Sequence, residues 1–225
     1  ELIGHRVDGV IITSNTRISK ALIRKLVGLK IPVVMIERTF DLPQVDRIRV
    51  DDRRGAADAV RHIIARGHRR IGFVGMALIH DVEKLRYRGY CDALRDAGLA
   101  LDQACTCFVP EYSVAAGYQA MEALSKLADP PTAVFATSDL FVCGVLQALH
   151  QQGKRVPEDL ALVGYDDTLS ALLAPPITSV GLSLEAIGQH AIALILRRLA
   201  DRKAPARTVR VNTVLIDRQS VDTRA

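Results

Sequence analysis

Short apolar runs alternate with segments of helical periodicity along almost the whole chain. The runs are nearly continuous in Val, Ile, Leu, Ala and Phe, which is typical of strands buried on both faces of a parallel sheet; they lie at 7–12, 31–37, 69–75, 105–110, 132–138 and 160–165. Between them, apolar residues recur every three or four positions and predict helices at 17–28, 52–66, 83–97, 113–128, 140–152 and 184–199. The segment 208–218 alternates apolar and polar residues and predicts a final strand.

Strands that alternate with helices of this length predict an α/β fold with a parallel, doubly wound sheet. Ligands of such sheets bind in the crevice beyond the carboxyl ends of the strands. The polar residues that directly follow the apolar runs are therefore candidate ligand contacts; they are Thr13, Glu37, Ser138, Asp139, Asp166 and Asp167. Most conspicuous is the segment "LALVGYDDT", in which a buried strand ends in two adjacent carboxylates.

Composition indicates one large domain or two small ones, since the chain has 225 residues and 49% of them are hydrophobic. The net charge is +5 and the sequence pI is about 9.2, but basic and acidic residues alternate along most of the chain. The densest basic cluster, "RGHRR" at 66–70, follows a predicted helix, whose C-terminus favours cations. This pattern favours a solvated surface over a DNA-binding face. The apolar stretches are too short to span a bilayer, so no membrane partner is expected.

The sequence contains none of the short motifs of the common enzyme classes. The glycine-rich dinucleotide fingerprint, the phosphate-binding loop, the nucleophile elbow and the H-E-x-x-H zinc motif are all absent, so neither a cofactor nor a catalytic residue is predicted. Asp166 and Asp167 are adjacent on an extended segment, where their side chains diverge, which is poor geometry for an acid–base pair. Cys105 and Cys107 lie too close together for a zinc site, so no metal is expected and the four cysteines indicate reduced, cytoplasmic thiols.

A binding cleft explains the same residues better. Carboxylates accept hydrogen bonds from hydroxyl groups, and arginine donates two parallel hydrogen bonds in a planar fork. Arg86 and Tyr112 both come shortly after predicted strands, so both could line the crevice with the carboxylates. Spacing alone leaves the alternative open that Arg86 is a surface residue and Tyr112 a loop anchor.

A set of motifs resembles the lactose-repressor (LacI/GalR) family of bacterial transcription regulators. In chain order they are "VDGVII", "IPVVMIER", "VDDRRGAADAVRHIIARGHRRIGFVG", "RYRGYCDAL", "FATSDLFVCGVLQAL", "VPEDLALVGYDDT" and "APPITSV". The resemblance extends from Val7 to about Ser220. It implies two Rossmann-like lobes, like those of a periplasmic sugar-binding protein, with parallel sheets, flanking helices and a ligand cleft between the lobes. The first lobe would comprise 1–50 and 180–208, and the second 51–179 and 209–225.

The resemblance also implies a function. We expect the effector-sensing domain of a cytoplasmic repressor that binds a small sugar or sugar derivative and thereby controls operator DNA binding by a homodimer or tetramer. The family's helix-turn-helix headpiece has no counterpart in the 225 residues, nor have the first strand and first helix of its first lobe, because "HRVDGVII" resembles the second strand. A periplasmic sugar-binding protein of a transport system is the alternative, and a Rossmann-type enzyme is a third hypothesis without a supporting motif.

The family's effector positions map onto individual residues of this chain. They are Arg86, which grips ring hydroxyls in relatives, Tyr112, Asp166, Glu37, Thr13, Ser138 and His80. Arg38 follows Glu37, and two guanidinium groups around one ligand would suit a sugar acid or a sugar phosphate, since the fork matches such oxygens. Leu172 and Leu173 stand in a predicted turn, where exposed leucines indicate a dimer interface.

Overall fold

The computed structural model describes residues 7–13, 19–37, 42–79 and 81–223. These residues form two compact units. Unit 1 contains the described residues up to Asp51 together with Ser183–Asn212, and unit 2 contains Asp52–Leu182 and the described residues from Thr213 onward. The divisions lie within four residues of those that the resemblance implies.

Ten strands and six helices are found in the described residues. In chain order they are β1 (Val10–Ile12), α1 (Lys20–Gly28), β2 (Val33–Ile36), β3 (Asp46–Val50), α2 (Asp52–Ala65), β4 (Ile71–Met76), α3 (Asp81–Asp96), β5 (Thr106–Val109), α4 (Val114–Ser125), β6 (Ala133–Ala136), α5 (Asp139–Gln151), β7 (Ala161–Asp166), β8 (Thr178–Leu182), α6 (Leu184–Ala200), β9 (Thr208–Val211) and β10 (Thr213–Ile216). This alternation confirms the predicted α/β class.

Unit 1 is built on a parallel sheet with the strand order β1-β2-β3-β9. Helix α1 begins after Ser19, whose hydroxyl oxygen accepts a hydrogen bond from the backbone N–H of Leu22. Helix α6 is fastened to the sheet by Arg198, which donates two hydrogen bonds, of 2.7 and 3.0 Å, to the fully buried Asp46 at the start of β3. The planar fork of arginine suits this paired geometry.

Unit 2 contains a six-stranded sheet with the order β10-β8-β7-β6-β4-β5, in which only β10 is antiparallel to its neighbour. The chain enters the sheet at β4, adds β5 on one side and then crosses to β6 on the other. The carboxyl ends of β4 and β6 are therefore the point where the strand order reverses, which is the place where such sheets bind ligands.

Two apolar clusters cover the two faces of this sheet. Successive residues of one strand point to opposite faces, so Phe73 of β4 packs with α2 and α3, whereas Val74 packs with α4 and α5. The same alternation separates Phe135 from Val134 in β6. Burial on both faces is the reason that these strands are apolar without interruption.

Three parts of the sheets differ from the sequence-based prediction. The segment 208–218, predicted as one strand, is divided into β9 in the unit 1 sheet and β10 in the unit 2 sheet. Strands β3 and β8 were not predicted: β3 has the sequence "DRIRV", whose two arginines interrupt the apolar run, and β8 follows closely on Pro175 and Pro176.

In the described part of the chain, the helices are too short or too polar to cross a membrane.

Candidate ligand-binding site

Arg86 is the centre of the site in unit 2. It lies one turn into α3 and is only 4% exposed. Its Nε donates a 2.8 Å hydrogen bond to Asp52 Oδ1, and its Nη1 donates a 2.7 Å hydrogen bond to the carbonyl oxygen of Thr137 at the end of β6. Nη1 also lies 3.2 Å from Asp166 Oδ1. The surface-residue alternative for Arg86 is therefore wrong.

Tyr165 holds the guanidinium group directly through its ring and indirectly through Asp52. Its carbon lies 3.7 Å from the ring centroid of Tyr165, a cation–π contact. The Tyr165 hydroxyl donates a 3.0 Å hydrogen bond to the same Asp52 oxygen that accepts from Arg86. Burial, and then the Asp52 charge, raise the pKa of Tyr165, so its hydroxyl stays protonated and remains a donor. Arg86 is thus held in one orientation by groups from three parts of the unit 2 fold: α2, the end of β6 and β7.

Asp52 is the main residue that the sequence interpretation missed. It is the first residue of the helix predicted at 52–66, where an acid is typical of a helix cap, but the side chain is 2% exposed and accepts its hydrogen bonds from Arg86 and Tyr165. The only signal in the sequence was an acid at the start of a predicted helix. That signal does not distinguish a cap from a partner of a distant arginine.

Asp166 and Asp167 have different partners, although the backbone at both is not extended as the sequence suggested. Both have positive φ, +86° and +58°, which turns the chain sharply after β7. Asp167 forms a paired contact with Arg218, with distances of 2.5 and 2.9 Å, and is a structural residue. Asp166 is partly exposed and lies beside Arg86. Burial raises the pKa of Asp166, and the opposing influences are the Arg86 charge and a hydrogen bond from Ser138.

Ser138 and Asp139 connect β6 to the same site. Ser138 precedes α5, and its hydroxyl oxygen accepts from the backbone N–H of Leu140 at 3.4 Å. Asp139 is 2% exposed and accepts four hydrogen bonds of 2.6–2.8 Å from the loop after β7; the donors are the backbone N–H groups of Thr168 and Leu169 and the hydroxyls of Thr168 and Ser170. Asp139 therefore anchors a loop, whereas Ser138 faces Asp166.

Tyr112 completes the arrangement in unit 2. Its ring stacks on Phe141 with the centroids 5.3 Å apart and the planes 10° apart, and its hydroxyl donates a 3.1 Å hydrogen bond to Glu83 Oε1. Burial raises the pKa of the Tyr112 hydroxyl, and the nearby charges that act on it are those of Arg86, Glu83 and Asp166. Sequence reasoning missed Glu83, which is 7% exposed and lies three residues before Arg86 on α3.

Two of the predicted residues lie in unit 1. Thr13 and Glu37 follow β1 and β2, which are parallel neighbours, so both stand at the carboxyl edge of that sheet. Glu37 has a φ of +61°, and its backbone N–H donates to the carbonyl oxygen of Ile48 at 2.9 Å. Arg38 and His80, which the sequence also suggested, lie outside the described residues.

The two leucines of the predicted interface are in different environments. Leu172 belongs to a short 3₁₀ turn at Ser170–Leu172 and is 83% exposed. Leu173 is half-buried and packs against the apolar cluster between the sheet and helices α4 and α5. Only Leu172 is therefore available to a partner without rearrangement of unit 2.

Metal or disulfide chemistry has no support in the described residues. They contain no group of three or more His, Cys, Asp and Glu side chains that could hold a metal ion. All four cysteines are free thiols, and Cys105 is buried. The pKa of each thiol is raised, with burial as the largest cause, so none of the four is an activated thiolate.

The fold and the site define a class of ligand-binding domain. The periplasmic binding protein-like domain matches residues 60–221 of this chain, and the chain belongs to that family. In unit 2, the candidate residue Asp166 lies at the carboxyl end of β7, and the buried Arg86 of α3 lies between Asp166 and Asp52.

Relatives of known name place the chain more closely. The HTH-type transcriptional repressor PurR of Mannheimia succiniciproducens is 31% identical over 219 residues, which cover 96% of this chain and 65% of that protein. The HTH-type transcriptional regulator CelR of Thermobifida fusca is 35% identical over 225 residues, which cover 97% of this chain and 65% of that protein. The chain thus spans about 65% of the length of these relatives.

Solved structures agree with the same assignment. A LacI family transcriptional regulator from Enterococcus faecium with bound ribose has a TM-score of 0.92 and 26% identity, and the alignment covers 100% of this chain and 83% of that one. The CelR–cellobiose complex has a TM-score of 0.87 and 33% identity, with 97% and 67% covered. The chain is a member of the LacI family and corresponds to its periplasmic-binding-protein-like domain.

Proposed function

We propose that this chain is the effector-sensing part of a bacterial transcriptional repressor, and that it binds a small sugar or sugar derivative to control operator binding. The observation that carries the proposal is the fixed Arg86 between Asp52 and Asp166 at the switch point of the unit 2 sheet. Support comes from two neighbours, one solved with ribose and one with cellobiose.

The chemistry of the cluster suits a ligand rich in hydroxyl groups. Each hydroxyl donates one hydrogen bond and accepts others, so it can bond to a carboxylate and a guanidinium group at the same time. Asp166 offers a partly exposed acceptor beside Arg86. Because the guanidinium is already oriented, binding loses little side-chain entropy, which favours affinity.

The remaining parts of the proposal concern the whole protein. We infer a cytoplasmic regulator, because the relatives are named as transcriptional repressors and regulators and the four cysteines are free thiols. The same names favour regulation over the alternative of a periplasmic transport protein. DNA would be bound by a helix-turn-helix segment outside these residues, and a homodimer, through the exposed Leu172, would present two such segments.

Thermal denaturation with a panel of sugars tests the proposal. A true ligand at 100 times its dissociation constant stabilises the folded state by about 2.7 kcal/mol. Ribose and cellobiose belong in the panel, with neutral, amino, acidic and phosphorylated hexoses. We expect at least one sugar to stabilise the protein and calorimetry to show no binding to Arg86→Ala.

Arg70→Ala is a matched control, because Arg70 forms an ion pair with Asp102 at the opposite end of the same sheet. It should bind the sugar like the wild type. Binding that survives in a folded Arg86→Ala protein, or the absence of stabilisation by every sugar in the panel, would contradict the proposed function.

A further inference from the structure

The unit 2 cluster carries more carboxylates than its arginine can neutralise. Arg86 contacts Asp52 and Asp166, and Glu83 adds a third carboxylate from the same face of α3. Tyr112 donates a 3.1 Å hydrogen bond to Glu83, one turn of α3 before Arg86, so the third carboxylate belongs to the same cluster.

The carboxylates differ in how far their oxygens are satisfied. Asp52 accepts from Arg86 and Tyr165, and Asp166 Oδ1 lies 3.2 Å from Arg86 Nη1. Glu83 accepts at Oε1 only; its Oε2 is buried and has no hydrogen-bond partner among the described residues. A buried acceptor without a partner is costly, so it requires an explanation.

The position of Glu83 in the helix does not explain its burial. A carboxylate in the first turn of a helix is stabilised by the helix dipole, and this applies to Asp81 as well as Glu83. Asp81 obtains that stabilisation at an exposed position, however, whereas Glu83 is 93% buried against Tyr112. The dipole accounts for an acid in this turn, but it does not account for a buried acceptor oxygen.

We propose that Glu83 is a specificity-determining residue, whose Oε2 accepts a hydrogen bond from a hydroxyl or protonated amino group of the ligand. This inference rests on the proposed effector-sensing function. It also sets the ligand class, because a sugar acid or sugar phosphate would meet the Glu83 and Asp166 charges while Arg86 is already paired. The site therefore selects neutral and amino sugars, in contrast to the anionic ligand that Arg38 and Arg86 suggested.

Calorimetry on the wild type and Glu83→Gln tests the proposal with ribose, cellobiose, glucose, glucosamine, glucuronate and glucose 6-phosphate. The substitution keeps an oxygen for the Tyr112 hydroxyl and replaces Oε2 with an amide N–H group. A hydroxyl can turn and accept from that group, so a neutral sugar should bind about 2- to 13-fold more weakly. An ammonium group cannot accept a hydrogen bond from the amide N–H, so the affinity for glucosamine should fall about 10- to 150-fold. The matched control Glu158→Gln changes an exposed glutamate and should bind like the wild type.

Melting of the ligand-free proteins provides a second measurement. Because Oε2 lacks a partner, Glu83→Gln should melt at or above the temperature of the wild type. Unchanged affinity in Glu83→Gln, or tighter binding of glucuronate or glucose 6-phosphate than of glucose, overturns the inference and leaves the sensing function intact. If no sugar binds the wild type, the proposed function fails. In that case, the ligand-free melting temperature of Glu83→Gln tests the role of Glu83. A value several degrees below that of the wild type indicates a structural carboxylate and overturns the inference.

Discussion

Removing the carboxylate of Asp52 tests the core of the site. In Asp52→Ala, the buried Nε of Arg86 and the buried hydroxyl of Tyr165 both lose their acceptor. Breaking a buried ion pair from one side costs about 3–5 kcal/mol, because the remaining charge is left in a poorly solvated position. For a chain of this length, roughly 2–4 °C is lost per kcal/mol, so the melting temperature should fall by about 6–20 °C.

The presence of Asp166 beside Arg86 favours a loss near the lower end of the range of about 3–5 kcal/mol. Its Oδ1 lies 3.2 Å from Arg86 Nη1 and can compensate part of the lost charge. Asp52 and Arg86 are in direct contact, so their substitutions should not be additive. The double variant Asp52→Ala, Arg86→Met should lose about 0.5–3 kcal/mol less stability than the sum of the two single variants. Replacing both partners removes the stranded charge along with the ion pair.

Calorimetry and urea denaturation measure these changes. The control is Asp129→Ala, since the Asp129 side chain is 81% exposed and its ion pair with Arg70 contributes little in water. A loss below about 1 kcal/mol in Asp52→Ala, comparable with the control, would refute the argument that Asp52 holds Arg86 in place. Additive effects in the double variant would show that the two residues are not coupled.

Three further predictions concern pH dependence and association. Burial raises the pKa of Asp166, so just above the ordinary aspartate pKa the folded state binds more protons than the unfolded chain. The free energy of unfolding should therefore fall as the pH rises through that window, and Asp166→Asn should flatten this pH dependence in urea titrations. Burial lowers the pKa of His62, so the contribution of its neutral form to stability is complete above the ordinary histidine pKa and is lost as the pH falls below about 6.5. The loss of stability on acidification should therefore be smaller in His62→Gln. The proposed homodimer would bury the exposed Leu172, so Leu172→Asp should lower the sedimentation coefficient; an unchanged coefficient at micromolar concentration would count against that interface.

The regular elements were largely predictable from periodicity, because burial on both faces of the sheet imposes apolar runs. Helix α5, predicted at 140–152, spans Asp139–Gln151. The failures follow from context that periodicity does not contain. Strand β3 includes Arg47 and Arg49 and gains its place by pairing with β2 and β9, and 208–218 changes from one sheet to the other at Asn212.

The candidate site was predictable where a residue directly follows a strand, and unpredictable where its role depends on a distant partner. Asp166 emerges at the end of β7, so its position alone indicated a ligand contact. Asp52 lies 34 positions from Arg86 and 113 from Tyr165, and it resembles a helix cap in sequence. Glu83 resembles an ordinary first-turn acid, and only the contact with Tyr112 distinguishes it.

The adjacent carboxylates after β7 show why both kinds of information are needed. From the sequence alone, an extended backbone would place the two neighbouring side chains on opposite faces of the sheet. The positive φ at both residues then ends the strand and turns the chain, so that Asp167 meets Arg218 while Asp166 stays beside Arg86. Pairing Asp167 with Arg218 fixes the turn, and the fixed turn keeps the neighbouring oxygen of Asp166 in a constant position relative to Arg86. Asp167 therefore positions the candidate site residue Asp166 through the backbone, although its own side chain pairs with Arg218.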